Sequence, residues 1–263
     1  LWPREIAMRE KKTMEKYRLL LDEEISYHKF LQFIFTNQWK RVKQYAGKYN
    51  INIIGDIPIF IAHDSSDVWA NQQLFDLDEE GNCRTVAGVP PDYFSATGQL
   101  WGNPHYKWEQ MAKDDYQWWT QRLQQLLKQV DYVRVDHFRG FEAFWQIPGE
   151  AETAEEGCWM KGPGADFFRV LESKFGTLPF IVEDLGVITP EVDDLKHQFY
   201  FPGIKVLHFA LAYDESRRQI KFTCERNSVL YTGTHDNDTT QGWYEKVAID
   251  QPELASCIEQ FVQ

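Results

Sequence analysis

Three acidic residues, Asp136, Glu183 and Asp236, end or follow short apolar runs in different parts of the chain. Two carboxyl groups that flank a glycosidic bond can cleave it with retention, because one attacks the sugar while the other donates a proton. The reaction requires the two groups to lie roughly 5–5.5 Å apart, a distance that a sequence does not measure. The residue types therefore predict carbohydrate chemistry, provided that the fold brings the carboxyl groups together.

Asp136 ends the segment Tyr-Val-Arg-Val-Asp, which has the composition of a strand. Strand alternation places Arg134 and Asp136 on one face and the two valines on the other. A neighbouring guanidinium favours the ionised carboxylate, and a nucleophile must be ionised. The alternative is a structural Arg–Asp pair inside the fold.

Glu183 and Asp236 have different surroundings and suit different tasks. Glu183 ends a strongly apolar run, where partial removal from water raises a carboxyl pKa and keeps the proton that a general acid donates. Its alternative is a turn or helix-capping acid, which describes Asp184 better. Asp236 could bind two sugar hydroxyls, with His235 donating a further hydrogen bond, or it could open the next helix in an Asx turn.

Several aromatic residues lie in loops rather than at the spacing of a core helix. Flat rings in a cleft stack on the apolar faces of sugars, although a packing role is the alternative for each single residue. Together they favour a glycan cleft. They are Trp69, Tyr93, Phe94, Trp101 and Trp145.

The chain has 263 residues and a net charge of −12, from 28 Lys plus Arg against 40 Asp plus Glu. Such a surface repels nucleic acid and anionic membranes, so we expect neither as a partner. The four cysteines form no CxxC pair and the seven histidines have no metal-ligand spacing, so we expect no disulfide framework, metal or cofactor. No segment reaches the ~18–20 apolar residues of a membrane span.

Short apolar runs alternate with amphipathic helical segments along the chain, which predicts a parallel sheet with crossover helices. No phosphate-binding turn follows the first run, and acids instead follow several runs, as in the active site of a barrel. We therefore predict an α/β fold of the (β/α)8 TIM-barrel type. The expected strands are 51–57, 132–136, 180–183, 204–211 and 229–234, and the expected helices are 26–49, 115–130, 165–175 and one beginning at Thr189-Pro190.

Five strands of an expected eight indicate a barrel fragment, approximately strands 3–7, that occupies residues 1–263 as one catalytic domain. A start at Leu-Trp-Pro-Arg, without Met or a leader, agrees with a fragment. Residues 75–108 show no helix or strand pattern, so we expect an irregular lid or insertion there. The charged stretch 9–24 is expected to be a solvated helix or linker.

The acidic residues lie in sequence blocks that resemble the amylomaltase family, the 4-α-glucanotransferases or disproportionating enzymes of glycoside hydrolase family 77. The resemblance covers roughly residues 23–247. The blocks are FLQFIFTNQW (30–39), GDIPIFIAHDSSDVW (55–69), AGVPPDYFSATGQLWGNPHY (87–106), VRVDHFRGFEAFW (133–145), VEDLGVITPEV (182–192) and YTGTHDNDTTQGWY (231–244).

The resemblance implies a (β/α)8 barrel with inserted subdomains and three catalytic carboxylates. Asp136 would be the nucleophile, Glu183 the general acid/base and Asp236 the stabiliser of the transition state. The substrate-binding residues that it implies are Asp56, Tyr93, Phe94, Trp101, Arg134, His137 and His235. The chain departs from the family pattern at 213–219, where an N-x-x-x-P-H-x-Y loop is usual.

The expected activity is transfer of an α-1,4-glucan segment to the 4-hydroxyl of glucose or a maltooligosaccharide, through a covalent glucosyl-enzyme. Two alternatives remain open from the sequence. One is an α-amylase-type hydrolase, in which water replaces the acceptor sugar, and the other is a non-catalytic glucan-binding protein. The expected location is the cytoplasm, or a plastid if the source is a plant or alga.

Overall fold

The computed structural model describes residues 3–92, 95–214 and 219–262. It divides into two compact units, Leu1–Pro179 and Phe180–Gln263. Tyr93 and Phe94, and residues 215–218 of the segment that departs from the family pattern, lie outside the described residues. None of the helices in the described ranges is both long and apolar enough to cross a membrane.

The first unit begins with helices and continues as a mixture of strands and helices. Its helices are α1 (Arg4–Ala7), α2 (Lys11–Leu20), α3 (Asp22–Lys48), α4 (Ser66–Ala70), α5 (Trp108–Ala112), α6 (Gln117–Leu127) and α7 (Gly164–Phe175). Its strands are β1 (Ile54–Pro58), β2 (Thr85–Val89), β3 (Gln99–Pro104), β4 (Tyr132–Asp136), β5 (Ala143–Pro148) and β6 (Cys158–Lys161).

Strands β1 and β4 pair in parallel, and their register positions the first group of polar side chains. Asp56 lies opposite Arg134, and Pro58 lies opposite Asp136. The valines of β4 are buried while Arg134 and Asp136 keep partial access to solvent, as strand alternation predicts. Gly55 leaves room for the Val130 side chain just before β4, because a Cβ there would meet it at 2.6 Å.

The expected irregular insertion at 75–108 is wrong in part, because it contains β2 and β3. These strands join β5 and β6 in a four-stranded antiparallel sheet of order β3-β2-β5-β6. Strand β2 pairs with β5, about sixty residues further along the chain, in a register that places Val86 opposite Ile147. Neither β2 nor β3 alternates buried and exposed residues, and each contains a glycine, so the segment lacks the pattern of a half-buried strand.

An aromatic cluster forms the core of the first unit around α5, α6 and α7. Trp119 is 1% exposed and packs edge-on against Phe141 and Phe167, at ring-centroid distances of 5.6 and 5.5 Å. Trp108 stacks on Trp119 at 6.4 Å. These rings bury a large apolar area, which fixes α6 and α7 against the segment that follows β4.

The second unit contains a parallel sheet and its connecting helices. The strands are β7 (Phe180–Val182), β8 (Gly203–Val206), β9 (Leu211–Asp214), β10 (Gln219–Phe222) and β11 (Ser228–Tyr231), and the helices are α8 (Pro190–Gln198), α9 (Leu207–Ala210), α10 (Thr240–Asp250) and α11 (Pro252–Val262). Strand β8 pairs in parallel with β7 on one side and with β11 on the other, whereas β9 and β10 form an antiparallel pair.

The expected strand 204–211 is wrong beyond Val206. The chain turns into the short helix α9 there and becomes extended again at Leu211. Both elements are apolar, so the change from strand to helix leaves no break in composition. The other expected strands and helices occur within a few residues of their predicted bounds, and α7 ends at Phe175, just before Gly176, which has a φ of +73°.

Candidate active site

Arg134 joins two of the predicted site residues in the first unit. Its Nη1 atom lies 3.0 Å from both carboxylate oxygens of Asp56 and 2.8 Å from Oδ1 of Asp136. The Arg134 side chain is 15% exposed, whereas the two carboxylates keep more access to water. The guanidinium therefore places one positive charge between two acids that lie two register positions apart on neighbouring parallel strands.

His137 follows Asp136 directly and adopts a left-handed backbone conformation, with a φ of +49°. A left-handed residue that is not glycine stores strain, and such strain concentrates at functional sites. Burial and the nearby Arg139 charge lower the pKa of His137 to about 3, so its imidazole is neutral near pH 7. The Trp101 ring meets the imidazole edge-on at 4.8 Å, and Trp101 is 38% exposed.

The expectation that these tryptophans lie in loops is wrong, because Trp69 lies in α4, Trp101 in β3 and Trp145 in β5. Trp69 and Trp145 contact their own chain, which favours a packing role for them. The Trp69 Nε1 donates to the Ile6 carbonyl at 2.9 Å, and the Arg9 guanidinium lies over its ring. The Trp145 Nε1 donates to the Ala154 carbonyl at 2.8 Å. The stretch 9–24 is therefore not wholly solvated, because Arg9 anchors the N-terminal helices on Trp69.

In the second unit, Glu183 follows β7 directly and is partly buried. Its Oε1 accepts a hydrogen bond from the Leu185 backbone N–H at 3.1 Å. The three buried apolar residues of β7 precede Glu183, and a loop follows it. The carboxyl thus lies at the carboxyl end of a parallel strand, as the sequence predicts.

The interpretation of Asp184 as a turn or capping acid is wrong. Asp184 is 5% exposed, and its Oδ2 lies 2.8 Å from the Lys196 ammonium on α8. Its Oδ1 accepts the backbone N–H of Ile204 at 2.8 Å. Sequence reasoning missed this buried pair because Lys196 is a lysine in an amphipathic helix, which normally faces solvent.

Asp236 and His235 lie after β11 in a loop that hydrogen bonds organise. The Asp236 N–H donates to the Thr234 hydroxyl at 3.2 Å, and Thr234 donates to the Asn237 side chain at 2.7 Å. The His235 Nε2 lies 3.4 Å from Asp236 Oδ1, and both side chains are about 70% exposed. The pair is accessible to a ligand.

Each unit therefore carries part of the predicted site. The first unit brings together Asp56, Arg134 and Asp136, with His137 and Trp101 beside them. The second unit carries Glu183 after β7, and His235 with Asp236 after β11. The described part of the chain contains no cluster of three or more His, Cys, Asp or Glu side chains arranged to hold a metal ion.

Comparison with known proteins gives a consistent result. A family model described as 4-alpha-glucanotransferase matches residues 1–261. A 4-alpha-glucanotransferase of Synechocystis sp. is 50% identical over 252 residues, which are 95% of this chain and 50% of the relative. A chloroplastic/amyloplastic 4-alpha-glucanotransferase of Solanum tuberosum is 43% identical over 93% of this chain and 42% of the relative.

The backbone also resembles a solved structure. An amylomaltase from Streptococcus agalactiae in complex with acarbose superposes with a TM-score of 0.90 at 39% identity, covering 97% of this chain and 52% of that one. The chain thus spans about half the length of the relatives that it matches.

Proposed function

Because this chain belongs to the family of 4-alpha-glucanotransferases, we propose that it supplies the catalytic carboxylates of a retaining 4-α-glucanotransferase. The substrates are an α-1,4-glucan donor and glucose or a maltooligosaccharide as acceptor. Asp136 is the nucleophile, Glu183 the general acid/base and Asp236 the residue that holds the sugar hydroxyls.

The reaction has two steps. Glu183 protonates the departing glycosidic oxygen while Asp136 attacks the anomeric carbon, which forms a glucosyl-enzyme and releases the shortened glucan. Glu183 then removes the proton from the 4-hydroxyl of the acceptor, which attacks the anomeric carbon and frees Asp136. Asp236 binds hydroxyls of the donor sugar as positive charge develops on its ring.

The observation that carries the proposal is the contact of Arg134 with both Asp56 and Asp136. A nucleophilic carboxylate must be ionised and correctly oriented, and a half-buried guanidinium at 2.8 Å favours both. Asp56 lies beside it with a side chain that is 54% exposed, and so is accessible to a sugar hydroxyl.

The proposed substrate contacts extend to the surrounding residues. The exposed Trp101 ring offers an apolar face to a sugar, and it lies against the neutral imidazole of His137. Tyr93 and Phe94 belong, like Trp101, to the proposed lid at residues 75–108. His235 belongs to the proposed binding site of the donor sugar. A lid of aromatic rings would exclude water and favour a sugar hydroxyl as the acceptor.

The proposal includes a (β/α)8 barrel in which residues 1–263 contribute approximately strands 3–7 and residues 75–108 the lid. The parallel pairing of β1 with β4, and of β8 with β7 and β11, supports it. So does the presence of an acid at the carboxyl end of several of these strands. We propose the cytoplasm as the location, or a plastid in a plant or alga.

The test is product analysis after incubation of the whole protein with maltotriose. A ladder of longer maltooligosaccharides together with glucose is the expected result, because the acceptor is a sugar hydroxyl. Glucose and maltose alone would reject glucan transfer and establish a hydrolase. No turnover by the whole protein would reject the catalytic proposal altogether.

A further inference from the structure

A lysine is enclosed within the second unit, close to the proposed general acid/base. Lys196 is 1% exposed, and lysine is almost never buried to this extent unless it is paired. Its Nζ lies 2.8 Å from Asp184, 3.1 Å from Glu225 and 3.2 Å from Asp193. The three protons of the ammonium therefore have three carboxylate acceptors.

Asp184 connects this lysine to the strand that carries Glu183. One carboxylate oxygen accepts the Ile204 N–H at the start of β8, and the other contacts Lys196 on α8 and lies 3.4 Å from Lys205. Gly203 leaves the space that the carboxylate fills, because a Cβ there would come within 2.5 Å of Asp184 Oδ2. Asp184 therefore occupies a fitted position between β7, β8 and α8.

The charges around this position nearly balance. Burial disfavours the Lys196 ammonium, but its hydrogen bonds, first with Asp184, outweigh that cost and raise the pKa of Lys196 above its ordinary value. Removing either member of a buried pair leaves the other as an uncompensated charge. The charged groups gathered here are Asp184, Asp193, Lys196, Lys205 and Glu225.

We propose that Lys196 is a positioning residue for Glu183, acting through Asp184. Lys196 and the Ile204 N–H fix the Asp184 carboxylate. Because Glu183 directly precedes Asp184, this also fixes the backbone that orients Glu183 toward the substrate. Lys196 also neutralises the charge of Asp184, so that Glu183 titrates without a bare carboxylate next to it. The inference rests on the proposed role of Glu183 as general acid/base.

The test measures the pKa of Glu183 in the full chain by carbon-13 NMR of labelled glutamate carboxyl groups, with Glu183→Gln to assign the resonance. Lys196→Met is expected to raise the pKa of Glu183 by about one unit, because it removes the nearer of the two lysines that compensate the Asp184 charge. Asp184→Asn is expected to lower it, because the Lys196 charge then lacks its nearest partner. The double variant should return the pKa to about its original value.

Asp193→Asn is the matched control, since it removes a more exposed partner of Lys196 and leaves Asp184 in place. Circular dichroism identifies which variants fold. If Lys196→Met does not fold, the isosteric Asp184→Asn decides the question by itself. An unchanged Glu183 pKa in a folded Asp184→Asn variant, or shifts of the same sign in both single variants, would overturn the proposal.

This readout needs no glucan, so its result is separate from that of the maltotriose test. In the active whole protein, the basic limb of the pH profile of kcat/KM, which reports the free enzyme, should move to higher pH in Lys196→Met, together with the pKa from NMR. A merely structural lysine would change stability and leave this limb where it is. If the two single variants shift the Glu183 pKa in opposite directions but the whole protein shows no turnover, the coupling of Lys196 to Glu183 stands. Only the catalytic role of Glu183 is then rejected.

Discussion

Arg134 shows how a single residue can serve two acids at once. A guanidinium has five N–H donors in a planar fork, and here one nitrogen lies within 3.0 Å of oxygens from both Asp56 and Asp136. A lysine ammonium is a point charge on a flexible stem and does not reproduce this planar geometry. The orientation of the proposed nucleophile therefore depends on the shape of Arg134 as well as on its charge.

We expect Arg134→Met to lower kcat by about 100-fold or more, because a displaced nucleophile loses its alignment with the anomeric carbon. Arg134→Lys should recover only part of this loss. The measurement is the initial rate of maltotriose disproportionation by the whole protein. Lys43→Met is the control, since it removes a charge that contacts Asp131 at 3.3 Å, just before β4. Equal rates for Arg134→Met and Lys43→Met would contradict the prediction.

Asp136→Asn should abolish turnover while leaving the fold intact, because an amide keeps the shape of the carboxylate but does not attack the anomeric carbon. The residual rate and the thermal unfolding midpoint are measured on the same preparation. A folded variant that retains full activity would show that Asp136 is not the nucleophile.

At the scale of elements, the helices differ in whether a side chain accepts a hydrogen bond from a backbone N–H of the first turn. Ser65 accepts the Val68 N–H at 3.2 Å before α4, and Thr239 accepts the Gly242 N–H at 3.1 Å before α10. Thr189 stands in the same place before α8, but its side chain makes no capping hydrogen bond. Its hydroxyl is one of the buried polar atoms in the described chain that have no hydrogen-bond partner.

Thr239→Ala should therefore reduce the free energy of unfolding by about 1 kcal/mol, the usual contribution of a capping side chain. Thr189→Val should change it by less than about 0.5 kcal/mol, because it replaces an unbonded hydroxyl by a methyl of similar shape. Urea denaturation followed by circular dichroism compares the two variants with the parent chain. A larger loss for Thr189→Val would show that its hydroxyl is bonded in solution.

At the scale of the whole molecule, acid should weaken the fold through buried neutral histidines. His105 is 1% exposed and packs against Phe60 and Phe144, and burial lowers the pKa of His105 to about 4. The unfolded chain, with an ordinary histidine pKa near 6.5, binds the proton more readily between these two values. Stability is therefore fully present above about pH 6.5 and decreases as the pH falls toward 4.

We expect His105 to account for a loss of about 3 kcal/mol across this range, from a difference of roughly 2.5 pKa units. Urea unfolding near pH 7 and near pH 4.5, followed by tryptophan fluorescence, measures it. His105→Phe should flatten the pH dependence, and the exposed His28→Gln should not. His137 contributes in the same direction, so some dependence should remain in His105→Phe. An unaltered slope in His105→Phe would refute the assignment.

The sequence by itself determined the local features of this protein. Apolar runs and their flanking acids predicted β1, β4, β7 and β11 and placed Asp136 and Glu183 at strand ends, because side-chain periodicity is a local property. The six sequence blocks identified the family, which the family model and the relatives confirm.

Only the tertiary structure decided which distant residues meet. Arg134 reaches Asp56, which lies 78 residues away, and β2 pairs with β5 across a long connection. Lys196 is buried in contact with Asp184, although the sequence pattern of its helix is amphipathic and predicts an exposed lysine. Such contacts depend on how the elements pack and on which charged groups become buried together. The spacing of neighbouring residues in the sequence predicts neither property.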